Sequence, residues 1–126
     1  MVEPDWSDKV ILIAEDEKIN FLFLKAVFKN TGIAILEANT GREAVELCEN
    51  DQNQIDIILM DIKMPDIDGL EATRQIKKMN PDITVIAQTA YTFKEDQERA
   101  EAAGCDDFLA KPIRPVNLLA LVDKYL

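Results

Sequence analysis

Glu15, Asp16, Asp61, Thr89 and Lys111 are the residues of this 126-residue chain whose types and spacing could do chemistry together. Glu15-Asp16 follows the apolar run Val10–Ala14, and Asp61 follows the run 55–60. Thr89 closes the run that begins at Ile83, and Lys111 follows Asp107–Ala110. Three carboxylates within a few ångströms repel one another unless a cation lies between them. Oxygen donors without histidine or cysteine specify a hard ion, and magnesium suits a site with few protein ligands and several waters. A carboxylate beside such an ion and a lysine can attack phosphorus, with ion and ammonium neutralising the equatorial oxygens. The Thr89 hydroxyl could then hydrogen-bond a phosphoryl oxygen carried by Asp61. Singly, each residue has a plainer reading, the acids as helix caps and the lysine as a solvated charge. Their shared position at one edge of a sheet favours the chemical reading.

Composition narrows the classes. The chain is 48% apolar and 30% charged with 4 Gly and 5 Pro, the profile of one globular domain rather than a disordered or fibrous segment. Its net charge of −10 makes it a poor binder of nucleic acid or anionic membrane, which need a basic footprint. It contains no histidine, which removes Ser–His–Asp and Cys–His nucleophile systems and the usual zinc sites. Any phosphohistidine in its chemistry must therefore sit on another molecule. Cys48 and Cys105 are far apart and read as reduced, packed thiols, which fits a cytoplasmic protein. No apolar run approaches the roughly 18 residues of a membrane span. Residues 1–8 are acidic, lack the core of a signal peptide and are expected to be a leader or linker to a domain over 9–126.

Apolar runs alternate with segments of helical period. Strands are expected at Val10–Ala14, 33–37, 55–60, 83–87 and Asp107–Ala110, each reading as buried. Helices are expected over 17–31, closed by Gly32; from a Thr40–Glu43 capping box, with Ala44, Val45, Leu47 and Cys48 apolar; and from Asp68 or Gly69 to the Asn80-Pro81 stop, through Leu70, Thr73, Ile76 and Met79. A fourth runs from a Thr92–Glu95 capping box to Gly104, and a fifth over Pro115–Tyr125 buries Val116, Leu119, Ala120 and Val122. Five strands alternating with five helices imply an α/β fold, a (βα)5 doubly wound parallel five-stranded sheet. Right-handed crossovers leave few windings, and by precedent the flavodoxin-like order 2-1-3-4-5 leads. In that winding ligands bind beyond the carboxyl ends of the strands, where the five residues above fall.

Four stretches in order resemble the response-regulator receiver domain of two-component signalling: Ile11-Leu-Ile-Ala-Glu-Asp-Glu17, Ile58-Leu-Met-Asp-Ile-Lys-Met-Pro-Asp-Ile-Asp-Gly69, Gln88-Thr-Ala90 and Asp106-Asp-Phe-Leu-Ala-Lys-Pro-Ile113. The resemblance covers residues 9–126. It implies that Asp61 accepts a phosphoryl group from a kinase or phosphotransfer-domain phosphohistidine. It further implies that Glu15, Asp16, Asp61 and the Lys63 backbone carbonyl hold Mg2+. Thr89 and Phe108 match the family's switch pair, Lys111 its lysine, and the Lys111–Pro112 peptide is expected to be cis. Two features depart from the commonest pattern: the pair is Glu-Asp where Asp-Asp is more usual, and Asn20 is similar to receivers fused to histidine kinases. The family catalyses only its own phosphotransfer and dephosphorylation, and the chain shows no DNA-binding helix-turn-helix.

Rivals fail on single residues. A haloacid-dehalogenase-type phosphatase needs an acid two positions after the nucleophile, where this chain has Lys63. A flavodoxin-type cofactor binder needs a phosphate loop after the first strand, where Glu15-Asp16-Glu17 would repel phosphate. A receiver-like interaction module that is never phosphorylated is the remaining alternative, though it usually loses one of the positions kept here. Lys63 and Tyr91, which flank the approach of water and offer no acid or amide to orient it, imply a long-lived aspartyl phosphate. Between Ile19 and Phe28 only Asn20 and Lys25 are polar, so the first helix has more apolar surface than one stripe against a sheet requires. The family resemblance implies that Leu24, Val27 and Phe28 face the sheet, which leaves Ile19, Leu22 and Phe23 as the surplus arc and the expected docking surface for a partner helix.

Overall fold

A computed structural model describes residues 4–64, 66–90 and 94–126. Along the chain, β1 (Val10–Ala14), β2 (Ala34–Ala38), β3 (Ile57–Asp61), β4 (Thr84–Thr89) and β5 (Asp107–Ala110) alternate with α1 (Lys18–Val27), α2 (Gly41–Glu49), α3 (Gly69–Met79), α4 (Lys94–Ala103) and α5 (Pro115–Tyr125). The strands form one parallel sheet in the order β2-β1-β3-β4-β5, the expected winding. Alternation along each strand divides the core in two. Ile11, Ile13, Ile57, Leu59 and Ile86 pack against Phe21, Leu24 and Phe28 from α1 and the following turn, and Leu118 and Val122 of α5. Leu12, Ile58, Met60 and Val85 face the other way, against Ala44 and Val45 of α2 and Ala72 and Ile76 of α3. Leu70, Ala87, Ala100 and Ala103 seat α4. Each fully buried Ile or Leu contributes about 1.5–3 kcal/mol, so the central strands carry most of the stability.

Local chemistry sets the boundaries. Thr40 Oγ1 accepts from the Glu43 amide at 3.0 Å and Asp68 Oδ1 from the Glu71 amide at 2.9 Å, the N-caps of α2 and α3. The expected cap at Thr92 lies outside the described residues. Helix α1 stops at Val27 rather than Thr31, because the Phe28 carbonyl accepts from both the amide and the hydroxyl of Thr31 in a tight turn. Gly32 follows with φ +77°, the left-handed conformation expected of it. Strand β3 starts at Ile57 because Asp56 is a junction: its carboxylate accepts from the Val10 amide at 2.8 Å.

Two expectations about burial are corrected, for the edge strands and for α5, and Met79 and Trp6 are placed as well. The edge strands β2 and β5 are only partly buried, since each lacks a neighbour on one side. In α5, Leu118 and Val122 point inward, while Val116 is 69% exposed and Ala120 is also exposed. Met79 at the end of α3 lies 45% exposed, beyond the sheet's reach. Trp6, within the expected leader, is 5% exposed; its ring centroid is 6.3 Å from that of Phe28 and its amide donates to the Thr31 carbonyl at 2.7 Å. Cys48 and Cys105 are free and half-buried, and burial pushes the Cys48 thiol up to about 11. Among the described residues, no helix is long and apolar enough to cross a membrane.

Candidate functional site

The register of β1, β3 and β4 determines which side chains meet at the carboxyl edge. Ala14 pairs with Met60, so Glu15, whose amide bonds the Ala38 carbonyl at 2.9 Å, continues β1 beside Asp61. Parity sends both toward the face that carries α1 and α5, where Ile13 and Leu59 already point. Asp16, one residue on, is exposed at the rim. The three carboxylates offer oxygen atoms that all lie within 4.8 Å of one another.

Lys111 reaches this group from the end of β5. Its Nζ is 3.0 Å from Asp61 Oδ2 and 4.0 Å from Glu15 Oε1. The Lys111–Pro112 peptide is cis, as expected. The Lys63 amide donates to Asp61 Oδ1 at 3.1 Å, so both acceptor oxygens are held by donors from different loops. Gly69 is required at the start of α3, because a Cβ there would run into the Asp61 carbonyl oxygen. Thr89 ends β4 and is buried, and it shares a cleft of about 540 Å³ with Asp61, Lys63, Lys111 and, from α4, Asp96 and Arg99. Phe108 is half-buried against the cluster that seats α4, on the same face as its register partner Ala87.

Electrostatics show what the mouth lacks. Burial, and then the hydrogen-bonding and charge of Asp61, push the Glu15 carboxyl up to about 8; Lys111 and the Glu17 amide pull the other way without cancelling the effect. Glu15 Oε1 is buried and has no hydrogen-bond donor. One ammonium therefore serves two buried acids, with a third at the rim. An all-oxygen donor set with an orphaned buried acceptor fits a hard divalent cation and offers nothing to a soft one.

The structure brings together Glu15, Asp16, Asp61, Thr89 and Lys111, with the Lys63 backbone beside them. Phe108 packs with the cluster that seats α4, and Tyr91 lies outside the described residues. Ile19, Leu22 and Phe23 are 82%, 50% and 43% exposed, while Phe21, Leu24 and Phe28 are buried, the division expected from helical spacing. Trp6 packs on Phe28 and leaves that outer arc open. Sequence reasoning gave no role to Gln88, which lies opposite Asp61 in the β3–β4 register. The available signal was an amide at a core parity in the run Thr84-Val-Ile-Ala-Gln.

A family model of the response regulator receiver domain matches residues 11–123, and the chain belongs to that family. It is thus a two-component signalling domain of the kind that takes up a phosphoryl group. The chain is 32% identical over 120 residues to the polar-differentiation response regulator DivK of Brucella anthropi, covering 94% of this chain and 96% of that protein. It is also 32% identical over 121 residues to hybrid signal transduction histidine kinase L of Dictyostelium discoideum, covering 91% of this chain but 7% of the kinase. Its fold is similar to the receiver domain of sensor histidine kinase PA1611 from Pseudomonas aeruginosa, solved with a magnesium ion coordinated in its active site cleft. That match has a TM-score of 0.84 at 31% identity and covers 93% of this chain and 96% of that one.

Proposed function

We propose that Asp61 is the phosphoryl acceptor and that Glu15, Asp16, Asp61 and the Lys63 backbone carbonyl hold Mg2+. The observation that carries this reading is the contact of Lys111 Nζ with Asp61 Oδ2 at 3.0 Å, beside two further carboxylates that one ammonium cannot neutralise. A carboxylate oxygen of Asp61 attacks phosphorus of a phosphohistidine whose other ring nitrogen carries a proton; the P–N bond breaks as the P–O bond forms, and the ring leaves as neutral imidazole on the donor. Bound magnesium would supply charge neutralisation to the phosphoryl oxygens. Lys111 supplies a fixed positive charge on the same side, and the Thr89 hydroxyl donates to a phosphoryl oxygen once it is on Asp61.

The donor is a histidine kinase or histidine phosphotransfer domain, the partner class of the receiver family. Its helix docks on Ile19, Leu22 and Phe23, next to the mouth. The named similarity to receivers of histidine kinases supports that class of partner. The domain works in the cytoplasm as a phosphoacceptor signalling module whose only catalysis is on its own phosphoryl group. Intact-mass measurement with a small phosphodonor tests the reading. One added phosphoryl group is expected with magnesium, and none with chelator or in Asp61→Asn. An adduct of equal yield in Asp61→Asn overturns it.

A further inference from the structure

Gln88 continues the row that carries Glu15 and Asp61. The β3–β4 register places it opposite Asp61, and neighbouring strands lie about 4.8 Å apart. Ile86, two residues earlier, points toward α1 and α5 with Ile13 and Leu59, so Gln88 projects to the same face as the two acids. Its side chain is fully enclosed, with the residue 1% exposed. Among the described residues, two buried side-chain polar atoms have no hydrogen-bond partner: Gln88 Nε2, a donor, and Glu15 Oε1, an acceptor. Both residues line a cavity of about 470 Å³, with Asn20, Phe23, Lys111 and Ile113 among its walls.

An unsatisfied buried amide costs roughly 1–3 kcal/mol, and a leucine or methionine would fill the same space without that cost. A donor without an acceptor therefore stands in one row and one cavity with an acceptor without a donor. We infer that Gln88 is a positioning residue for the acidic pair: its amide donates to the Glu15 carboxylate when a cation occupies the site. Groups that hydrogen-bond a ligating carboxylate fix its orientation, and removing them typically costs about 10–100-fold in metal affinity. The inference rests on the proposed magnesium reading of Glu15.

Gln88→Met keeps the length of the side chain and removes the donor. Magnesium affinity by calorimetry is expected to fall about tenfold. The metal-free melting temperature should hold or rise, because the orphaned donor is gone. A residue that merely fills space gives the reverse, a lower melting temperature with affinity unchanged, and that result overturns the inference. So does a joint loss of both. In the unmutated protein, the Gln88 side-chain NH2 resonances should shift and exchange more slowly with solvent on adding magnesium; unmoved resonances overturn the inference without recourse to a variant. Wild-type protein that binds no magnesium sinks the metal reading and this inference together. Wild-type binding matched by Gln88→Met sinks the inference alone.

Discussion

Lys111 Nζ lies 3.0 Å from Asp61 Oδ2 across fifty residues of sequence, and the same ammonium is 4.0 Å from Glu15 Oε1. It is the cation that allows Asp61 and Glu15 to be buried side by side. It also competes electrostatically with any divalent ion at the mouth. Lys111→Met therefore separates two effects that deletion of an ordinary ligand would merge. Magnesium binding should tighten, since a positive charge that repels the divalent ion at the mouth is removed. Phosphorylation by a small donor should slow by at least about tenfold, because charge on the phosphoryl oxygens loses a fixed counterion. Calorimetry and intact-mass kinetics read the two separately. A parallel loss of both would assign Lys111 to structural support.

Glu15 links stability to pH. Its folded carboxyl titrates at about 8, against 4.5 in the free side chain, because burial and Asp61 disfavour the anion. A raised folded value means that the folded state binds the proton more tightly than the unfolded chain. The resulting stability is fully present below about pH 4.5 and is lost as pH rises to about 8. Metal-free protein should melt at a falling temperature between pH 5.5 and 8, on the order of 1 kcal/mol per pH unit or several degrees. Glu15→Gln should flatten that slope. Magnesium at pH 8 should restore the loss in wild type and do little in the variant. Identical slopes in the two proteins would remove Glu15 as the cause.

The parallel α/β class and the carboxyl-edge cluster were legible in the sequence because they depend on alternation and spacing, which are local. The strand order came instead from precedent among the few windings that right-handed crossovers allow. Asp61, Glu15 and Lys111 each end an apolar run, and a parallel winding leaves one place for such ends to go. What was not legible depended on partners distant in sequence. Ile55 reads as strand, yet the Asp56 carboxylate is bound to the Val10 amide. Val116 has an apolar side chain, but α5 is rotated so that Leu118 and Val122 meet the sheet. Trp6 sits in an acidic leader and is buried because Phe28 and Thr31 lie beneath it. Gln88 looks like one polar residue in a strand until the register sets it beside Asp61.

Thr89 and Phe108 should respond together to phosphorylation. Thr89 is buried at the end of β4, and Phe108 is half-buried on the face that seats α4. A phosphoryl oxygen on Asp61 would draw the Thr89 hydroxyl toward it with a charge-assisted hydrogen bond, freeing space into which the Phe108 ring can turn. Ring resonances of Phe108 should shift on adding a phosphoryl mimic with magnesium. Thr89→Val preserves the shape and removes the hydroxyl, so the shift should vanish while the mimic still binds. A shift that persists in Thr89→Val would make Phe108 a core residue that senses the site by another route.

The outer arc of α1 is the most direct test of partner docking. Ile19, Leu22 and Phe23 are open to solvent on a helix whose opposite face buries Phe21 and Leu24. Phe23 also lines the cavity that holds Glu15, Lys111 and Ile113, so the apolar surface runs into the mouth. An amphipathic helix laid there would exclude water from the patch and hold a phosphohistidine near Asp61. Central apolar anchors carry most of the energy of such contacts, often 2 kcal/mol or more each, so Leu22→Glu should slow transfer from a phosphohistidine protein by about thirtyfold. The change lies on the exposed side of α1, so melting temperature and labelling by a small phosphodonor should stay near wild type. Measuring both routes on one preparation separates docking from folding. Equal slowing of the two would place Leu22 in support of the acceptor site, and undiminished transfer would move the docking surface elsewhere.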